Sequence, residues 1–502
     1  MATPGLEGFV QLPLEVLSLI LGALSTKDLL RCRETCQGLN TVIANVPILQ
    51  YTLALAAYGL TNNENSTKPI NEKLERARLT YRGHRDFNWI PHFALQLGGK
   101  RIEHPSSPLA VGDATSSTSL TFILSGSIVR DVPDRQWTVN PLPDTAFSRS
   151  FNVSEDLLVL QTQDIPSPRF HLRTISDGGV HPEAALPVLP GGSLGVDHLT
   201  YGPFILVPGG DSIHSLWNWK TGTMLTMIRC HYSAVSFLDA DHLAFVSRSD
   251  LGQFIHVYRL PSIIFDPDAE TMNPPHYVFN LPTIAPDAVP LPCSMMQGPA
   301  SSYMASGSTA SAGACYTDPE EVLLTVYYEQ LSPRRQYALV LRARSLLERL
   351  TAENLGQTTP WTDWGPSNAH GYPLSRRRLS GWDNHSIFGM RRIDTYPTVR
   401  SDGVLVATIY DYHARRVALA RQEAPAENGR WSIVEGQTVH GNWAGTVILE
   451  TRMPFVRTTV VLPAELQSQR DSAIALTLND DGIIASTGLL RSSATTVHVY
   501  TI

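Results

Sequence analysis

From Phe87 to Ile502 the chain almost nowhere sustains a helical apolar period; short β-branched and aromatic runs alternate instead with clusters of Pro, Gly, Asp and Ser. About 400 residues of this texture predict a single class of structure, an all-β unit built from many short strands. Strands are expected at 120–124, 157–161, 204–207, 212–219, 242–247, 254–258, 322–328, 336–342, 404–409, 447–451, 473–478, 483–487 and 496–502. They fall in neighbouring pairs. An apolar run, an Asp-rich turn and a second apolar run recur at 237–243 and 478–483, where the Asp-Asp-Gly of the second is expected to supply the dihedrals of a tight hairpin.

Trp217-Asn218-Trp219-Lys220-Thr221-Gly222 has the form of an aromatic strand closing on a Thr-Gly turn, the pattern that ends a propeller blade. At the usual 40 to 50 residues per blade, the region has room for roughly seven or eight. The strand at 497–502 runs into the C-terminus, as the closing segment of a ring does. Segments 105–119 and 301–313 are expected to be inter-strand loops.

The first 90 residues differ. Pro13 suits a first helical turn, and Leu17, Ile20, Leu21 and Leu24 follow at i, i+3, i+4 and i+7. Ser25 and Asp28 form a capping pair that predicts a second helix. A third is expected over 35–44 and a fourth over 48–58, stopped by Gly59, and a connecting helix over 70–84 after the polar loop 61–69. The expected organisation is therefore α plus β: a small helical module at 1–60, a linker helix within 61–90, and a large all-β domain, propeller-like, at 91–502.

Leu12-Pro13-Leu14-Glu15-Val16-Leu17, followed by Ile20-Leu21, Leu24, Asp28-Leu29-Leu30, Cys32, Cys36 and Leu39, resembles the F-box in order and spacing over about 35 residues. In overall texture the chain is also similar to the many F-box proteins of fungi. The resemblance implies a three-helix module that presents apolar side chains to the Skp adaptor of a cullin-RING ubiquitin ligase, while the rest of the chain holds a target protein. By position, Leu12, Pro13, Leu17, Ile20, Leu21 and Leu24 are the implied apolar contacts, with Glu15 as a polar orienting group. Leu29, Cys32, Cys36 and Leu39 complete the module or its far contact edge. Leu39 stands where the family often carries Trp. The competing reading is an amphipathic helical cap packed on the β domain.

Other chemistries find little support. A net charge of -7, 17% charged residues and mean hydropathy of -0.08 describe a folded chain without the clustered basic surface that nucleic acid or anionic membrane requires. Five cysteines, Cys32, Cys36, Cys230, Cys293 and Cys315, are too few and odd in number for a disulfide framework, which places the expected location in the cytoplasm or nucleus. No secretory signal or membrane span is expected, and Asn65, Asn152 and Asn384 are read as chance glycosylation matches. Cys32 and Cys36 lack a second ligand pair, so no metal or other cofactor is expected. Gly210-Asp211-Ser212-Ile213 is a weak match to a hydrolase nucleophile block without the partner histidine. Arg376-Arg377-Arg378 reads as a solvated loop. Trp217, Trp219, Trp382, Trp431 and Trp443 are read as packing between sheets rather than as a ligand surface.

The expected function is a non-catalytic substrate adaptor, with loop residues of the β domain selecting the target. A Skp-binding scaffold outside a ligase is the second reading. A propeller enzyme with a helical cap is the third.

Overall fold

A computed structural model describes residues 12–98, 100–104, 108–113, 118–143, 146–162, 168–191, 199–208, 213–229, 235–249, 252–260, 275–282, 294–297, 313–318, 321–331, 334–373, 386–423, 430–443, 447–469, 473–488 and 495–502 of the 502. Their β-rich part forms seven sheets of four to six strands. Blade 1 comprises Lys100–His104, Leu109–Asp113, Leu120–Leu124 and Arg135–Val139; blade 2 comprises Ala146–Asn152, Leu157–Thr162, Arg169–Thr174 and Val188–Pro190. Blade 3 comprises Leu199–Tyr201, Phe204–Pro208, Ile213–Asn218 and Thr223–Arg229; blade 4 comprises Val235–Phe237, His242–Ser249, Gly252–Arg259 and Tyr277–Asn280, with Thr358–Thr359 added in parallel. Blade 5 comprises Ser294–Gln297, Leu323–Leu331, Arg334–Arg342 and Ala369–Pro373. Blade 6 is irregular: Ile387–Phe388, Arg391–Ile393 and Leu405–Asp411 are followed across the sheet by Phe455–Val461, and Trp431–Val434 lies outermost although it comes earlier in the chain.

Blade 7 closes the ring. Ile474–Leu478, Gly482–Thr487 and Thr496–Thr501 take their fourth strand from the start of the domain, Ile90–Gln96, which pairs antiparallel with the last strand from Ile90↔Thr501 to Gln96↔Thr496. Each adjacent pair of blades shares its own apolar cluster. Phe122 of blade 1 meets Leu158 and Leu160 of blade 2, while Leu157 and Val159 from that same strand meet Ile205 and Val207 of blade 3. Strand period two thus divides one continuous apolar run between two interfaces. Leu216 with Phe245, Ile255 with Leu339, Val340 with Phe455, Ile409 with Leu476, and Val497 with Val111 complete the circuit. The β domain is a seven-bladed propeller.

All thirteen expected strands are present, with ends shifted by a few residues. The expected loop at 105–119 instead contains the strand Leu109–Asp113, whose buried Leu109, Ala110 and Val111 lie against blades 7 and 2. Residues 301–312 of the other expected loop lie outside the described residues, as do Gly210, Asp211 and Ser212, Arg376 to Arg378, Trp382 and the side chain of Trp443. Gly482 also differs from expectation. It is absent from the described positive-φ glycines, and a Cβ there would sit 1.9 Å from the Tyr500 carbonyl oxygen, so close backbone approach demands glycine. Trp219 is fully buried and donates its indole N–H to the Gly202 carbonyl at 2.9 Å. The following turn is held by Asn218 Oδ1, which accepts from the Lys220 and Thr221 amides, with Gly222 at φ +71°.

The N-terminal part consists of α1 (Leu14–Gly22), α2 (Thr26–Thr35), α3 (Gln37–Asn45), α4 (Pro47–Tyr58) and α5 (Ile70–Asp86). Ser25 caps α2 by accepting the Asp28 amide, and Cys36 Sγ accepts the Leu39 amide at the start of α3. Gly59 ends α4 in the left-handed region at φ +65°, packed on the His413 ring. No single described helix is long and apolar enough to cross a membrane.

The helical module is tied to the propeller by backbone as well as side chains. Leu60–Asn62 pairs antiparallel with Cys315–Thr317, and Tyr51 Oη donates to the Ala314 carbonyl at 2.9 Å. Beneath α5, His84 Nε2 lies 3.2 Å from the Asp480 carbonyl and 3.3 Å from Asp481 Oδ1, which places the proton of the neutral ring on Nε2. Asp481 is 2% exposed and faces Arg130 Nη2 at 2.7 Å, while Arg391 donates to the Asp480 carbonyl at 2.9 Å. Blades 1, 6 and 7 therefore converge on the linker helix through one buried polar hub.

Burial opposes ionisation of Asp481, but the Arg130 charge and the His84 contact hold its carboxyl well below the usual range. His84 is pushed down to about 4 by burial, reinforced by Arg391. A base depressed in the folded state binds fewer protons there than in the unfolded chain, so its stabilising effect is present above its ordinary value and lost as pH falls through 6.5 towards 4. His84 is therefore expected to remove about 2 kcal/mol of stability between pH 7 and pH 5. In denaturant titrations at both pH values, His84→Gln should lose correspondingly less than the native chain; identical losses would contradict this assignment.

Candidate functional site

Helix α1 is apolar on more than one side. Leu17 and Leu21 are buried, and Leu21 joins Leu29, Leu39, Ile43, Val46, Leu49 and Leu53 in the module's core. Leu24, Cys32 and Cys36 pack half-buried against the same cluster. At about 1.5–3 kcal/mol per fully buried Leu or Ile side chain, this cluster is enough to define the module. The outer stripe of α1 has no such partner. Val16 and Ile20, each 40% exposed, and Leu19, 76% exposed, form it at i, i+4 and i+3, while Leu14, 52% exposed, continues the Leu17 and Leu21 face past the end of the core. Leu12 and Pro13 precede them in the open, and Leu30 of α2 and Ile48 of α4 are also exposed.

The residues expected from sequence therefore fall into two groups. Leu12, Pro13, Glu15 and Ile20 lie at the surface. Leu17, Leu21, Leu29 and Leu39 lie inside, with Leu24, Cys32 and Cys36 at the margin of the core. Leu39 is 4% exposed and fills the module's interior. Leu14, Val16, Leu19, Leu30 and Ile48 were not among the expected contacts. Their signal was present in the sequence: six of the eight residues from Leu14 to Leu21 are apolar, more than one buried face of an amphipathic helix uses. A second apolar stripe on a small module marks an interaction face.

The charges around this face are small in effect. Arg31 and Asp28 form an exposed pair at 3.2 Å on α2. Among the described residues no group of three or more His, Cys, Asp or Glu side chains could hold a metal ion. Cys32 and Cys36 are free thiols, the second acting as a helix cap.

The surrounding propeller carries aromatic packing of a different kind. Arg392, 4% exposed, is sandwiched between the Tyr372 and Tyr410 rings at 3.8 and 3.9 Å and pairs with Asp394 at 3.0 Å. Next to it, His370 Nδ1 lies 2.6 Å from Tyr412 Oη, between blades 5 and 6. Arg392, His370 and Tyr412 are buried in the blade interface, with Tyr372, Tyr410 and Asp394 half-buried at its margin.

Residues 9–53 match the F-box-like family. No curated protein matches the chain. Among solved structures, BamB from Moraxella catarrhalis is similar at 10% identity, with 82% of this chain and 98% of that chain covered and a TM-score of 0.32. Kluyveromyces lactis Hsv2 is similar at 13% identity, with 80% and 90% covered and a TM-score of 0.35. The C-terminal WD40 domain of Sif2 is similar at 11% identity, with 82% and 98% covered and a TM-score of 0.33. At such scores the propeller assignment rests on the chain's own strand pairing and seven blade interfaces.

Proposed function

The chain carries an N-terminal F-box and a C-terminal seven-bladed propeller, and we propose that it is the substrate-recognition subunit of a cullin-RING ubiquitin ligase. The F-box docks on the Skp adaptor, and the propeller holds a target protein through its loops. The observation that carries this reading is the outer stripe of α1, open to solvent beside a filled core. Leu12, Pro13, Leu14, Val16, Leu19 and Ile20 make the apolar contact, Leu30 and Ile48 extend it, and Glu15 orients its edge. Leu17, Leu21, Leu24, Leu29, Cys32, Cys36 and Leu39 hold that face in shape from behind.

The chain's work is positioning rather than bond chemistry. Its hub of Arg130, Asp481, Arg391 and His84 joins α5 to three blades, which supports a fixed orientation of propeller to F-box. A target held on the propeller is thereby kept at a set place relative to the ubiquitin carrier, and local concentration supplies the rate. Reconstitution of the full chain with the Skp adaptor and a cullin tests the reading. A single co-eluting assembly of all three is expected. Adaptor binding without cullin recruitment would replace the ligase reading with a scaffold, and no adaptor binding would overturn it.

A further inference from the structure

The chain carries five lysines, Lys27, Lys68, Lys73, Lys100 and Lys220, against thirty-four arginines. Lysine is ordinarily among the commonest residues of a folded domain. From residue 87 onward only Lys100 and Lys220 occur, so that the sequence of blades 4 to 7 holds none. Charge does not select this ratio, because both side chains are cations at neutral pH. Bidentate pairing accounts for some arginines, such as Arg400 with Asp402 and Arg421 with Glu435. Arg31 and Arg82, however, make single exposed contacts at 3.2 and 3.9 Å that an ammonium would make as well.

The two side chains differ sharply in one reaction. A guanidinium stays protonated, whereas a lysine amine attacks a carbonyl once it is neutral. In ubiquitin transfer lysine Nζ attacks the thioester carbonyl at the ubiquitin C-terminus. A C–N isopeptide bond forms, the C–S bond to the carrier breaks, the sulfur leaves as thiolate, and the amine gives up a proton to solvent.

Three of the five amines are tied down. Lys73 is 8% exposed and donates to the Asn63 carbonyl at 3.0 Å. Lys68 bridges Glu72 and Asp131 at 2.9 and 2.6 Å, and Lys220 bridges Glu155 and Glu183 at 2.7 and 2.8 Å beside the Trp219 ring. Those carboxylates raise both lysines above their ordinary values and hold them as ammonium ions. Lys27 is exposed, but it lies one turn before Leu30 on α2, at the edge of the proposed adaptor face. Lys100, exposed at the start of blade 1, remains.

We infer that the chain is a poor ubiquitin acceptor inside its own complex, with Lys100 the one amine left open to transfer once the adaptor is seated. The inference rests on the ligase reading. A target on the propeller then receives ubiquitin in preference to the subunit that holds it.

The test reconstitutes the full chain with the Skp adaptor, a cullin, its RING subunit and a charged ubiquitin carrier, without target, and maps ubiquitin on the chain by mass spectrometry. Slow modification at Lys100, abolished by Lys100→Arg, is expected. Arg169→Lys, Arg344→Lys and Arg457→Lys together add three exposed amines at blades 2, 5 and 6 with the charge kept. They should raise the initial rate at least about threefold, with melting temperature and adaptor binding unchanged. Modification spread over Lys27, Lys68, Lys73 or Lys220, or a rate indifferent to the added lysines, would overturn the inference, and an unmodified Lys100 would overturn its assignment. Discharge of the carrier onto free lysine, measured on the same assembly, separates the two claims. Any of these results beside intact discharge overturns the inference alone, whereas failed assembly or failed discharge overturns the ligase reading and the inference with it.

Discussion

Asp481→Ala should destabilise the chain by about 3–5 kcal/mol, because it removes the carboxylate 2.7 Å from the buried Arg130 guanidinium and one of the charges, beside Asp411, that offset the burial of Arg391. The loss should appear as a lower denaturant midpoint. It should be accompanied by faster amide exchange in α5, since His84 loses its Asp481 contact at the same time. The conservative Asp481→Asn keeps the shape and removes the charge, and should retain little of the stability. If Asp481→Ala melts within about 1 kcal/mol of the native chain, the hub contributes nothing net and the orientation of F-box to propeller is set elsewhere.

The second large effect falls on binding rather than folding. Leu19→Glu with Ile20→Glu places two charges on the open stripe of α1, and each side chain replaced is a candidate for at least about 2 kcal/mol of interface energy. Adaptor affinity should fall by about 100-fold or more with the melting temperature nearly unchanged. Leu17→Ala should behave differently: Leu17 is 2% exposed, so its truncation is expected to cost about 2–5 kcal/mol of stability first, with affinity falling only as the module loosens. Equal affinity in the native chain and the double variant would move the docking face away from α1.

Leu157 to Leu160 is a strand on sight, because an uninterrupted apolar run of that length between turn signals is buried on both faces. Blade number was not legible in the same way. It depends on strands such as Lys100–His104 and Arg135–Val139, whose charged residues mask their period until a neighbouring strand is placed beside them. Asp480 and Asp481 read as a hairpin turn, which they are. Their burial depends on Arg130, 350 residues from Asp480 in sequence, and on a helix that no local pattern brings over them. In α1 the order of apolar residues identified the module, yet it could not say which stripe faces inward. That choice is made by α4, against which Leu21 packs through Leu49 and Leu53.

Amide hydrogen exchange on the native full-length chain, alone and saturated with the Skp adaptor, tests the central claim most directly. Slowed exchange confined to α1, the start of α2 and the start of α4, with the propeller blades unchanged, is the predicted result. Protection on the blades with none in α1, or no complex at all, would contradict it.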